Sequence, residues 1–201
     1  MKEQDDEPPP TPLVNVSGNY EYLTEEYYRC QDAELAGAAL SSPSCADALD
    51  AYIVPVALEK AAMAGLPVPD WFLTNEYFQP PAVVDAVNPF SRRFAVVRTE
   101  VECATAAKQL SWNFKYTFCV QRIHEATELV EVRMVAGRTE RPDYADWASL
   151  VYAVFSVPVA AVRLLRTGPV LQFSAIGMLP WRTLTAQERR WADDLVRRMR
   201  G

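Results

Sequence analysis

Residues 64–137 decide the fold: AGLPVPDWFLT (64–74), PPAVVDAVNPFSRRFAVVRT (80–99), FKYTFCVQRI (114–123) and LVEVRMVAG (129–137). Short β-branched and aromatic runs bounded by Pro, Asn or Gly read as strands. WFLT and AVVDAV are two such runs, Asn88-Pro89-Phe90-Ser91 is a turn, and FAVVRT is the returning strand. Thr99 and Glu102 have the spacing of a capping box, opening a helix to about Leu110 with Cys103, Ala106, Ala107 and Leu110 on one face. Residues 116–123 and 129–135 follow as strands. In the second, Val130, Val132 and Met134 alternate with Glu131 and Arg133, the period of a strand with one buried face. The order strand, strand, turn, strand, helix, strand, strand predicts an α+β fold.

Outward from this stretch, residues 1–12 (MKEQDDEPPPTP) offer too little apolar surface to offset the entropy of ordering and are expected to be a disordered acidic, Pro-rich tail. LVNV adds a short strand. Thr24 caps a helix with Glu25 and Glu26 in its first turn and Gly37 at its end. A further helical region is broken at Pro55 and resumes to Gly65, completing an N-terminal helical region over 13–65. C-terminal to Gly137, Pro142 stands at the first position of a helix, and Trp147, Leu150, Val151, Val154 and Phe155 recur at helical spacing as its core stripe. VAAVRLLRT and PVLQFSAI form a strand pair about Gly168. A second capping box, Thr185 with Glu188, opens the last helix, which buries Trp191, Leu195 and Met199.

Composition excludes several classes. A net charge of -6 over 201 residues argues against a general nucleic-acid surface. The charge is uneven: residues 1–50 hold eleven acids against Lys2 and Arg29, and the rest of the chain is mildly basic. No apolar run approaches the roughly 20 residues that span a bilayer, so no membrane partner is expected. The acidic start is the opposite of a signal peptide, which makes a cytoplasmic location the default. Cys30, Cys45, Cys103 and Cys119 form no C-x-x-C pair, and His124 is the one histidine, so the reading is buried free thiols and no metal site. His124 beside Glu125, without a G-x-S-x-G, reads as a solvated loop residue.

The order and wording of these segments resemble the ATP-grasp superfamily, within it the RimK-like ligases, which join a carboxylate to an amine through an acyl-phosphate. PAVVDAVNPFSRRFAVVR resembles the phosphate hairpin of the first lobe, YTFCVQRI the strand leading to the hinge on which adenine lies, and VEVRMVAG the arginine-bearing strand beyond. VRLLRTGPVLQFSAI resembles the second-lobe strand pair that normally ends in magnesium ligands, and NVSGNYEYLTEEYY resembles a domain fused to some RimK-like proteins. The resemblance implies two small lobes: an N lobe over 66–137 and a truncated C lobe with the C-terminal helix over 138–201.

The departures bear on chemistry. Where the family has a phosphate-binding lysine and a proline, this chain has Asp85 and Ala86, and an aspartate repels a polyphosphate. The hairpin turn lacks glycine, so backbone N–H groups cannot close on phosphate as in the family. The magnesium positions read Arg163, Gln172 and Ser174, although magnesium wants carboxylate oxygens. The nucleotide contacts that the resemblance leaves are Arg92, Arg93, Gln121, Arg122 and Arg133, with no catalytic or metal residue assigned. Three functions are expected in order of preference. The first is a degenerate, non-catalytic binding or accessory protein, with a ligase or peptide substrate as its partner and ATP as the cofactor to test. The second is an active carboxylate–amine ligase with displaced residues, and the third a purely structural interaction domain. An open cleft with two converging carboxylates marks the second, a cleft without them the first, and no cleft the third.

Overall fold

The computed structural model describes residues 13–37, 41–87 and 93–200. In chain order its elements are β1 (Leu13–Val14), α1 (Glu25–Leu35), β2 (Ser41–Ser42), α2 (Cys45–Tyr52), α3 (Val54–Met63), β3 (Trp71–Thr74), β4 (Ala82–Ala86) and β5 (Phe94–Val97). They continue with α4 (Glu100–Leu110), β6 (Phe118–Arg122), β7 (Glu128–Val135), α5 (Ala145–Phe155), β8 (Val159–Thr167), β9 (Val170–Gly177) and α6 (Ala186–Arg200). The fold is α+β, with two antiparallel sheets ordered β3-β6-β4-β5 and β7-β8-β9. The expected tail 1–12 and the turn 88–91 lie outside the described residues.

The first sheet is covered on one face by α4. Ala82, Val84, Ala86, Phe118 and Val120 point to that side and pack with Cys103, Ala106 and Leu110. The capping box forms as its spacing predicts: the Glu102 carboxylate accepts from the Thr99 backbone N–H at 3.0 Å. Because strand side chains alternate, the residues between, Val83, Asp85, Cys119 and Gln121, face away from α4 and toward the second sheet. A one-residue slip in the β4–β6 register would exchange these two sets, so apolar burial under α4 fixes the placement of Asp85 and Gln121.

The second sheet carries the larger core. Val132, Met134, Val162, Leu164 and Phe173 meet Leu58, Ala61, Val151 and Phe155, and the Phe155 and Phe173 rings stack with centroids 5.4 Å apart. Fully burying side chains of this size stabilises by about 1.5–3 kcal/mol each. The opposite face packs Val135, Val159 and Ala161 against Leu179, Leu184 and Ala192, the last from α6. The N-terminal segment straps onto this lobe: the backbone N–H groups of Leu179 and Trp181 donate to the carbonyls of Gly18 and Ser17 at 3.0 and 2.9 Å.

Three sequence expectations are corrected. The stretch 66–137 does not close as one lobe, because β7 pairs with β8 in register from Glu128↔Arg166 to Val135↔Val159. Its apolar face is needed over the helices, and α2 and α3 of the 13–65 region share that core. The stripe on α5 is rotated. Ala148, Val151 and Phe155 are buried, whereas Leu150 is 52% exposed. Ala148 is buried in the core that α5 shares with α2 and α3, and Pro142 opens a 3-10 turn ahead of the helix. Finally, the strand expected from 116 begins at Phe118. Trp112, Asn113 and Phe114 hold positive φ angles of 53°, 58° and 64° in a left-handed turn after α4.

Candidate functional site

A cavity of about 380 Å³ lies between the two sheets and the N-terminal helices. Its walls are Tyr20, then Leu49 and Tyr52 of α2, Ile53 between α2 and α3, and Ile176 and Met178 at the end of β9. Its charged lining comes from Asp85 on β4, Arg93 ahead of β5, Glu131 on β7 and Arg163 on β8. Glu131 and Arg163 are cross-strand partners, which places both on the face turned to the first lobe.

At the floor of this cavity a closed hydrogen-bonded ring joins the sheets. Arg163 Nη2 donates to Asp85 Oδ1 and Oδ2 at 2.8 and 2.7 Å, and Arg163 Nε donates to Ser174 Oγ at 2.8 Å. Ser174 Oγ in turn donates to Gln121 Oε1 at 2.8 Å. Gln121 Nε2 closes the ring on Asp85 Oδ2 at 2.8 Å and reaches the Ser174 carbonyl at 3.3 Å. Asp85, Gln121 and Ser174 are buried, and the Arg163 side chain is 12% exposed. The ring draws one residue each from β4, β6, β8 and β9.

The electrostatics stem from burial. Removal from water pushes the Asp85 carboxyl up, and the Arg163 charge and the donors from Arg163 and Gln121 pull against it. Both oxygens accept hydrogen bonds, the geometry of a carboxylate. The neighbouring Cys119 thiol is pushed up to about 12, first by burial and then by the Asp85 charge. It is an inert core thiol.

This ring occupies the positions where the resemblance places phosphate and magnesium chemistry, with the charges exchanged between lobes. The first lobe carries the acid and the second the cation. The donor set does not fit a divalent metal: Arg163 is a cation, Ser174 is spent within the ring, and the Gln172 amide donates to the Val68 carbonyl at 3.0 Å. Among the described residues no cluster of three or more His, Cys, Asp or Glu is placed to hold a metal ion. The connection after β6 is tied back to the end of β5. Arg98 donates to the carbonyls of His124, Glu125 and Thr127 at 3.4, 2.5 and 2.9 Å.

Of the residues assigned from sequence, Arg93 lines the cavity and Gln121 belongs to the ring beneath it. Arg122 and Arg133 are not brought there. Arg122 is exposed, pairs with Asp70 at 2.7 Å and lies over the Phe72 ring. Arg133 forks the Glu188 carboxylate of α6 at 2.7 and 2.6 Å and donates to the Thr183 carbonyl. Arg92 lies outside the described residues. Sequence reasoning treated Asp85 and Arg163 as separate losses and missed that they are partners. The available signal was the opposite sign of the two departures, at positions that the resemblance sets on facing strands. Arg98 gave no signal, since its three acceptors are backbone carbonyls.

No protein-family model matches the chain, and no curated protein matches it. Solved structures do match. A RimK-domain ATP-grasp protein from Sphaerobacter thermophilus superposes with a TM-score of 0.59 at 16% identity, over 84% of this chain and 76% of that one. A D-alanine–D-alanine ligase from Bacillus anthracis gives 0.60 at 13% identity, over 85% and 72%. The ATP-grasp ligase PsnB, complexed with a precursor peptide and AMPPNP, gives 0.57 at 13% identity, over 85% and 65%. Identities this low speak to the fold. Two antiparallel sheets facing each other across a cavity, and their match to these structures, give the chain the ATP-grasp fold.

Proposed function

We propose that this protein is a non-catalytic member of the ATP-grasp fold, one that binds rather than ligates. The observation that carries this reading is the closed ring of Asp85, Arg163, Ser174 and Gln121. Phosphoryl transfer requires a cation and metal-held carboxylates around the γ-phosphate. Here the acid that faces that space is already neutralised by an arginine, and Asp85, Gln121 and Ser174 all find their partners within the protein. A polyphosphate would have to displace Arg163 from Asp85 and leave a buried carboxylate unpaired, which costs several kcal/mol. The cavity above the ring remains, with Glu131 as its other acid, so a cleft persists without two carboxylates free to gather a metal.

The setting we favour is a peptide-modifying system, in which the protein holds a peptide or assists a ligase. PsnB, of the same fold, is complexed with its precursor peptide, which supports that choice by analogy. Incubation of the purified chain with ATP, magnesium and a panel of carboxylates and amines tests the reading. ADP release above the blank would return the protein to the active ligases.

A further inference from the structure

The last helix carries an arginine surface that the cavity and its ring do not use. Arg182, just ahead of α6, and Arg189, Arg190, Arg197 and Arg198 on it are exposed. Asp193 and Asp194 are the acids of this segment that reach solvent, because Glu188 is buried on Arg133, so the solvent face holds three positive charges in excess. Arg189 and Arg190 donate to neutral oxygens, the Arg182 carbonyl at 3.5 Å and Gln187 Oε1 at 2.7 Å, and Arg197 stands 3.7 Å from Asp194. The helix itself accounts for only part of the set. Arg197 and Arg198 complement its negative end, whereas Arg182 and Arg189 lie at the positive end, where the dipole opposes cations.

One segment of this chain fits that surface. Residues 1–12 carry Glu3, Asp5, Asp6 and Glu7 against Lys2, an excess of three negative charges. The described chain begins at Leu13 and passes beside α6, where Val16 and Trp191 pack against the cluster that holds Leu184 and Ala192. The strap fixes its direction. Leu179 N–H donates to the Gly18 carbonyl and Trp181 N–H to the Ser17 carbonyl, so the path back from Gly18 to Ser17 follows the path from Leu179 to Trp181, toward Arg182 and the start of α6. The 12 residues span at most roughly 40 Å when extended. The helix has 15 residues and is about 22 Å long, so the acids reach the whole arginine surface. Each exposed pair is weak alone, but tethering holds the acids at high effective concentration there. We propose that residues 3–7 dock across the arginine face of α6, which extends the N-terminal strap over the second lobe and closes that face to other anions.

Phenylglyoxal footprinting of the full chain, read by mass spectrometry of its peptides, tests this, because each guanidinium is followed separately. Arg29 on α1 and Arg122 on β6, both exposed, serve as internal references. The variant Glu3→Gln/Asp5→Asn/Asp6→Asn/Glu7→Gln removes the negative charge of the segment. At low salt Arg189, Arg190, Arg197 and Arg198 should react about threefold more slowly in the parent than in this variant, with the references unchanged. The protection should vanish near 1 M salt, where the screening length falls to about 3 Å. It should be the same at about 1 and 100 µM protein, as docking within one chain requires. Equal rates in parent and variant would overturn the inference. So would protection that fades on dilution, which would assign the N-terminal segment of a second copy to this face. If the variant does not fold, the salt dependence of the parent decides: rates at the four arginines that salt leaves unchanged relative to the references would overturn the inference.

Discussion

Arg163 on β8 reaches across from the second sheet to hold both carboxylate oxygens of Asp85 on β4, at 2.8 and 2.7 Å. The two residues are far apart in sequence, and each belongs to a separately built sheet, so the pair ties the two sheets together. Breaking it from one side leaves a buried charge. Asp85→Leu should cost about 3–5 kcal/mol, while the double variant Asp85→Leu/Arg163→Met should lie within about 1–2 kcal/mol of the parent. Urea unfolding of the parent, Asp85→Leu, Arg163→Met and the double variant measures this. Additive losses would show that the ring is not a coupled unit.

Arg163→Met alone has a further signature in pH. Burial raises the Asp85 carboxyl above its ordinary value of 3.8, and the arginine works in the other direction. Without Arg163 the carboxyl is raised further. A raised acid contributes stability that is present below its unfolded value and lost as pH rises through the folded one. The penalty of Arg163→Met should therefore grow from acid to neutral pH, read as the difference in melting temperature from the parent across that range.

Glu188 behaves in the opposite sense. Burial alone would raise its carboxyl, but Arg133 and the Thr185 backbone N–H outweigh that and hold it below its ordinary 4.5. Its stabilisation is present above that value and is lost as pH falls through the depressed one. Glu188→Gln should cost about 2 kcal/mol at neutral pH and flatten the acid limb of the stability profile. An unchanged acid limb would contradict the pairing.

Gly18 has a φ of +72°, and a Cβ built there would lie 1.8 Å from the Leu179 carbonyl oxygen. The backbone bond that docks the N-terminal strap, Leu179 N–H to Gly18 O, depends on this approach. Gly18→Ala should cost about 3 kcal/mol and free the strap, seen as faster proteolysis between residues 13 and 37.

Much of the fold was legible in the sequence because its signals are local. The Thr24, Thr99 and Thr185 caps, the alternation in β7 and the breaks at Pro55 and Gly168 act over a few residues, and the elements form where they say. Sheet membership was not, since the pairing of β7 with β8 is decided by burial of Val132 and Met134 under helices distant in the chain. For the same reason Leu150 looked like core and is exposed, while Ala148 takes the buried side of α5 against α2 and α3. At the site, the positions of Asp85 and Arg163 were readable, and the opposite sign of the two departures was the one signal of their partnership. Arg122 and Arg133 looked free and are engaged by Asp70 and Glu188. A charged residue in one dimension says nothing of which opposite charge the fold brings to it.

The most direct test of the central claim is the melting temperature of the intact chain with millimolar ATP, with and without magnesium. A ligand that prefers the native state raises it by mass action. With the Asp85–Arg163 ring closed over the phosphate and metal positions, we predict no stabilisation that depends on magnesium. A magnesium-dependent rise would contradict the account, because it would require the ring to open and carboxylates to gather around a metal–phosphate centre.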